Sequence, residues 1–476
     1  MAKRASISQL CCFGTAVIAA LLVGCSSNDA RAEQAFSNYQ TALNTGNIAA
    51  ARKSLLEAVR ERDDVAPYWE ALARLQLQMG NMSDAAYAFT RAHELDRSNV
   101  ENLSALSELS LYAGDLDSAH EYARELELLA PNDPAVMLVN GYLELRRSEL
   151  DSADRDADKL LQVLPLDPGA KLLKARVLVA RGQRDEAISL LEDQAAAKPE
   201  DVASLKALLM LLNRENEWSK LADAAARLSK LQPGDDTAAL TAIEAAFRAN
   251  DIAAAKTVSL GLLTPGAPPA QVQSVLQLWA RFWRGSAAIQ QAQELASEAP
   301  PQQRLAYATF FNAVGQPRRA AELAGGGPKT PVTLANSSTN AIFAQALAVG
   351  GHPEAALQLF DAILKKEPDH VYALRGRAEL EIRTKSGAAA VQDALRLITI
   401  EPSSAEDRLL LSTAFDAAGD PRGADQSLWQ AFHDIPGNEQ IYEALRARVQ
   451  ARGGDAKQVD VEFDRQRDLQ LAREFI

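Results

Sequence analysis

Three cysteines, five histidines and one glycine-rich run are the positions in this 476-residue chain that could do chemistry. The thiols are Cys11, Cys12 and Cys25, and none follows. A disulfide framework, a Cys-ligated zinc and a catalytic thiol are thereby excluded from the body of the chain. Gly325-Gly326-Gly327-Pro328-Lys329-Thr330 suggests a phosphate loop but lacks the G-x-x-x-x-G-K spacing, and neither G-x-G-x-x-G nor H-E-x-x-H occurs. The run reads as a loop that breaks a regular pattern. His93, His120, His352, His370 and His433 have no ligand spacing and read as solvated or capping residues. Carboxylates are abundant, yet no pair stands out. No enzyme activity, cofactor or metal site is expected.

The elements that would carry any site are helices. Hydrophobic residues make up 47% of the chain and aromatics only 6%. The apolar content is therefore mostly Ala and Leu, which favour packed helices over a sandwich or barrel. With 50 basic and 63 acidic residues, the formal charge is −13. Without a basic run, such a chain is a poor electrostatic match to nucleic acid.

The helices repeat. Pro131, Pro165, Pro199 and Pro233 are 34 residues apart, as are Pro368, Pro402 and Pro436. With units set at 66–99, 100–133 and onward, position 15 reads Gly80, Gly114, Ser148, Gly182 and Asn216. Gly46 precedes them and Asn250 follows. Gly and Asn enter the left-handed region readily and end a helix. The next residue is polar each time, from Asn47 and Asn81 to Asp251, and suits the start of a second helix. Position 20 is Ala51, Ala85, Ala119, Ala153, Ala187, Leu221 and Ala255. Small residues there let two helices approach closely. Each unit is thus helix, tight turn, helix, then a Pro-marked turn.

These residues closely resemble the tetratricopeptide repeat. Unit 66–99 carries Trp69, Leu72, Ala73, Ala85, Phe89 and Ala92 at the family's positions, although Arg97 stands where proline is usual. Unit 405–438 carries Leu411, Ser412, Ala424, Leu428, Ala431 and Pro436. The resemblance implies an all-α, right-handed helix-turn-helix solenoid of about 12–13 units, irregular in the middle. Pro265, Gly266, Pro268 and Pro269 disturb one junction, and the glycine run after Gly315 suggests a shortened unit and a bend. The expected organisation is an N-terminal arm over 32–269, an irregular centre over 270–336 and a C-terminal arm over 337–476. The charged last unit, 439–476, is expected to cap the stack.

The N-terminus reads as an address. Lys3 and Arg4 precede an apolar run of 11 residues, Phe13 to Val23, too short for a membrane span of about 20. Leu22-Val23-Gly24-Cys25 then resembles the lipobox of bacterial lipoproteins. That resemblance implies removal of residues 1–24, lipid on Cys25 and a polar tether through Arg31. Two or more acyl chains anchor stably. Ser26 after the cysteine resembles the pattern of an outer-membrane lipoprotein facing the periplasm, or a cell-surface one in a monoderm bacterium.

In the family's geometry, positions 2, 5, 9, 12 and 13 of each first helix line the inner face. In the first arm these select Glu70, Arg74, Glu108, Tyr112, Tyr142, Arg146, Arg176 and Arg214 as candidate partner-binding residues. A carboxylate clamp of Lys and Asn is not matched, because Lys206 is followed by Met210 at position 9. A second candidate is Trp279, Phe282 and Trp283, flanked by Arg281 and Arg284. Setting Gly285 at the turn position places the tryptophans on the inner face, as anchors for a protein or a platform for sugar rings. Core packing where the repeat is distorted is the other reading of these aromatics, and the favoured one. The expected function is a membrane-anchored scaffold binding proteins of envelope assembly or export, with carbohydrate or peptidoglycan binding as the alternative. The expected partners are therefore proteins, the membrane through the lipid on Cys25, and possibly polysaccharide.

Overall fold

A computed structural model describes residues 28–475, with side chains through residue 472. The expected signal segment, 1–24, and Cys25 lie outside the described residues. The described residues fold into helices joined by turns and loops, without strands, and form thirteen successive helix-turn-helix pairs. The first pair is α1 (28–44) and α2 (Ile48–Glu61). The odd-numbered helices that follow are α3 (Ala66–Gln78), α5 (Val100–Tyr112), α7 (Pro134–Arg146), α9 (Pro168–Ala180), α11 (Val202–Arg214) and α13 (Asp236–Arg248). The series continues with α15 (Pro269–Phe282), α17 (Arg304–Ala313), α19 (Ser337–Val349), α21 (Val371–Arg383), α23 (Ala405–Ala417) and α25 (Glu439–Ala451). Helix α26 (Lys457–Phe475) ends the series. Helix α1 begins at residue 28, inside the stretch expected to be a tether. Arg31 pairs with Glu61 and Arg62 with Asp29, and Ala32 is buried, so α2 holds this turn in place.

The turn within each pair follows from one residue. Gly46, Gly80, Gly114, Ser148, Gly182, Asn216 and Asn250 all have positive φ, as do Gly315, Gly351, Lys385, Gly419 and Gly453 further on. This conformation ends the first helix and lets the chain reverse. The next residue then stands at the N-cap of the second helix, and in some pairs its side chain closes the cap. Asn47, Asp115 and Asp251 accept the backbone N–H of Ala50, Ser118 and Ala254. The alanines at position 20 are fully buried, from Ala51 to Ala255, which is what close helix approach requires. One further regularity lies between pairs: Asp133, Asp167, Asp201 and Asp235 each cap the next first helix by side chain. An N-cap of this kind contributes about 1 kcal/mol.

One pair lacks the left-handed turn. Helix α15 ends at Trp283, with φ −134°, and Gly285 is the extended N-cap of α16 (Ser286–Glu298), with φ −72°. The placement of Gly285 at the turn position is thus corrected. Nearby, the buried Gln303 amide donates to the carbonyls of Thr264 (2.9 Å) and Ala267 (2.8 Å), stapling the proline-rich junction before α15. The next pair is short: α17 has 10 residues and α18 (Pro317–Leu323) has 7. The loop after it is pinned by buried Asn340, which accepts from the Lys329 N–H (2.7 Å) and donates to the Lys329 carbonyl (3.0 Å).

The chain divides into two compact units, the first ending at Leu190 and the second beginning at Leu191. The first has cores around Leu55, Trp69 and Phe89, and around Leu138, Leu160 and Leu173. The second has its largest core around Trp279, Tyr307, Phe310 and Phe311.

Helix α21 also carries a group that ties the second unit to pH. Burial, with Asp393 and Asp361 nearby, pushes the Glu381 carboxyl up to about 7 against the pull of Arg377. The folded state therefore holds this proton more tightly than the unfolded chain, whose value is near 4.5. Stability falls as pH rises between those values. Glu381→Gln is expected to raise the melting temperature at pH 8 and to change it little at pH 4. An equal shift at both would rule out this proton.

Candidate functional site

In the first unit, the predicted inner positions lie along the first helices and are already linked to one another. Glu70 accepts from the Nδ2 atoms of Asn99 (2.9 Å) and Asn102 (3.3 Å), and exposed Arg74 donates to Glu101 (2.6 Å). Burial, with Asp167 and Asp133 close by, pushes the Glu108 carboxyl up to about 6. Tyr112 is 61% exposed, and its hydroxyl sits where a Cβ on residue 169 would come within 2.9 Å, so Gly169 makes room for it. Arg146 is exposed. The Tyr142 ring is buried, with the Arg176 guanidinium stacked 5.0 Å from its centroid. Tyr142 thus supports Arg176 rather than offering an open ring. Arg214 lies in the second unit, on α11.

The central aromatics do not form a platform. Trp279 is 0% exposed, its Nε1 donates to Ser259 Oγ (3.0 Å), and it meets Trp283 and Phe310 edge-on. Phe282 stacks on Phe247 at 5.7 Å, and Trp283 packs against the same core. Trp279 lies two residues past Gln277, about 200° around the helix from the face that Gln277 and Arg281 present to open space. Trp279 sits where the favoured core-packing reading put it, and the inner-face placement is corrected, because it rested on the turn that this pair lacks. His93 was expected to be solvated or capping. It is instead buried, with its Nε2 3.2 Å from Glu125.

The open space is a cavity of about 1170 Å³ inside the second unit. Its wall is built by α13, α15, α17, α19, α21, α23 and α25 in turn. Position by position, α21 contributes Tyr372, Arg375, Glu379, Ile382 and Arg383, which are positions 2, 5, 9, 12 and 13 of unit 371–404. These residues were missed because the inner-face positions were read only along the first arm; the same register would have found them.

The wall mixes amides and hydroxyls (Gln273, Gln277, Thr309, Gln345, Thr413) with charge. Arg375 is fixed by a two-pronged pair with Asp407, Nε to Oδ1 at 2.8 Å and Nη2 to Oδ2 at 2.9 Å. Burial raises the Glu379 carboxyl, while an N–H from Gln345 (2.9 Å) opposes it. Arg383 has no hydrogen bond or ion pair among the described residues, so its guanidinium is available to a ligand. Among the described residues no cluster of His, Cys, Asp or Glu could hold a metal, and no helix is long and apolar enough to cross a membrane.

Residues 40–100 and 343–405 match the family described as Tetratricopeptide repeat. These two segments are tetratricopeptide repeats. They fall in both compact units and share the 34-residue register of the repeats around them. No curated protein matches the chain. Among solved structures, PilW, described as a widely conserved type IV pilus biogenesis factor, is 18% identical, with 41% of this chain and 91% of that one covered and a TM-score of 0.33. The pilF protein of Pseudomonas aeruginosa is 17% identical, covering 49% and 98%, with a TM-score of 0.32. The P58(IPK) TPR domain is 17% identical, covering 82% and 98%, with a TM-score of 0.25. Similarity at this level carries nothing about function. The helix pairs of the second unit supply a polar, partly charged inner wall.

Proposed function

We propose that the chain is a non-catalytic scaffold of the cell envelope, anchored by lipid on Cys25, whose second unit holds an extended segment of a partner protein. The cavity carries this reading. Its wall repeats at the spacing of successive first helices, so its groups recur along a line, as an extended chain requires. Side-chain amides suit the N–H and C=O groups of a peptide, and Arg383 and Glu406 suit its charges. The anchoring rests on Leu22-Val23-Gly24-Cys25 following an apolar run, and supports work in pilus, outer-membrane or polysaccharide export machinery facing the periplasm. The sugar-binding alternative loses its support with Trp279 in the core.

One experiment addresses both parts. A photo-crosslinking residue at Arg383 or Thr413 is expected to capture one partner in the membrane fraction, and the same residue at outward Leu395 none. Adding Cys25→Ser is expected to move the protein to the soluble fraction. Equal capture from Leu395 would sink the cavity reading, and retention on the membrane would sink the anchor.

A further inference from the structure

The helices from α11 to α26 return on themselves. Helix α26 packs on α24 (Pro421–Asp434) and α25 through Val459 and Phe463, as the cap of a stack should. Buried Gln466 fixes it there, donating to the Phe432 carbonyl (3.1 Å) and accepting from the Gly437 N–H (3.0 Å). The carboxyl half of α26 goes further and reaches α11, the first complete helix of the same unit.

That seam is built largely from ion pairs and hydrogen bonds. Such contacts also reinforce the Ala and Leu joints between neighbouring pairs, as Arg375 joins Asp407, but there they link adjacent repeats. Here Arg214 Nε donates to Asp468 Oδ1 (2.8 Å), with Asp464 at 3.5 Å from Nη2. Arg467 Nη2 donates to the carbonyls of Asn213 (2.6 Å) and Arg214 (2.7 Å), in the last turn of α11. Beside them Arg248 pairs with Glu439. Phe463, Asp464, Arg467, Asp468 and Leu471 share one helical face, with the two aspartates one turn apart. Arg214 occupies position 13 of its repeat, where an inner-face ligand contact is expected, and its guanidinium is mostly buried. Its partners lie as far as 254 residues along the chain.

The structure therefore shows a repeat whose inner face is already occupied. We propose that the inner end of α11, with Arg214 and the terminal carbonyls, is a docking seat for an acidic amphipathic helix of a partner, and that α26 fills this seat in cis. A partner helix with two carboxylates one turn apart displaces the carboxyl half of α26 and opens the ring. Displacement is feasible because the carboxylates of the seam, Asp464 and Asp468, are 62% and 43% exposed. Pairs of this kind hold weakly and yield to salt. The apolar contacts of Val459 and Phe463 keep α26 attached as a cap meanwhile. This proposal goes beyond the cavity reading and does not depend on what the cavity holds.

The probe is a fluorescein-labelled peptide of residues 457–476, added to the full chain. The native chain is expected to bind it weakly, because the seat is taken. Asp464→Arg/Asp468→Arg is expected to bind at least roughly tenfold more tightly, since a vacated seat no longer discounts the affinity. Adding Arg214→Glu to that variant is expected to abolish the gain, and raising salt from about 50 to about 500 mM to reduce it. Both aspartates are half-exposed, so the fold should survive, as circular dichroism would confirm. Equal binding by the native and charge-reversed chains overturns the proposal, and so does binding that ignores Arg214→Glu. Failure to find a cavity ligand leaves this result unaffected.

Discussion

Trp279→Ala is expected to destabilise the second unit by about 3–5 kcal/mol, the range for deleting a large buried ring. The side chain is fully buried in the largest core, against Trp283 and Phe310. The void would open where α15 already departs from the regular turn, with a proline-rich junction on one side and short α17 on the other. Neighbouring helices there have little freedom to collapse into it. The hydrogen bond to Ser259 adds less, because that hydroxyl also donates to the Ala255 carbonyl (2.7 Å) and keeps a partner. Calorimetry and helical circular dichroism of the two proteins would measure the effect. An unchanged transition would mean that the ring is at the surface, restoring it as a binding anchor.

Arg375→Leu is expected to cost a similar amount, about 3–5 kcal/mol, by a different route. Asp407 is 0% exposed, and its two oxygens take the two prongs of Arg375. Removing the guanidinium leaves a buried carboxylate without its counter-charge. The first turn of α23 offers only partial relief through its backbone N–H groups. The double variant Arg375→Leu/Asp407→Leu should recover most of the loss, because the pair gains little over apolar residues of similar volume. Denaturant midpoints of the three proteins decide the matter. A single variant as stable as the parent would show that Asp407 is solvated. Arg375 also faces the cavity, so crosslinking from Arg383 in the double variant would separate stability from binding.

Much of this architecture could be read from the chain. Gly80 and Asn216 announced their turns because few residue types tolerate positive φ, and Ser148 was placed by the 34-residue register alone. The alanines at position 20 announced the helix contacts because nothing larger fits. Gly285 misled for the same reason that the others informed. A glycine permits a left-handed turn without requiring one, and here it is extended. The phase of α15 was therefore wrong, and with it the inner-face placement of Trp279, though not the favoured reading of core packing. The cavity was legible in principle, since α21 follows the inner positions that had been applied to earlier helices. Ring closure was not. Arg214 and Asp468 lie in different repeats with no periodic relation, and the charges of α26 looked like the ordinary solvated face of a cap.

Closure also constrains how the gene encoding this chain can change. An open stack can gain or lose a 34-residue unit anywhere, because each unit meets only its neighbours. The second unit has no such latitude. Its eight pairs, α11/α12 through α25/α26, bring the last helix back to the first. A duplication or deletion inside it would rotate α26 out of line with Arg214. Length variation among homologous chains should therefore be confined to the region before Leu191, with the count after it held constant.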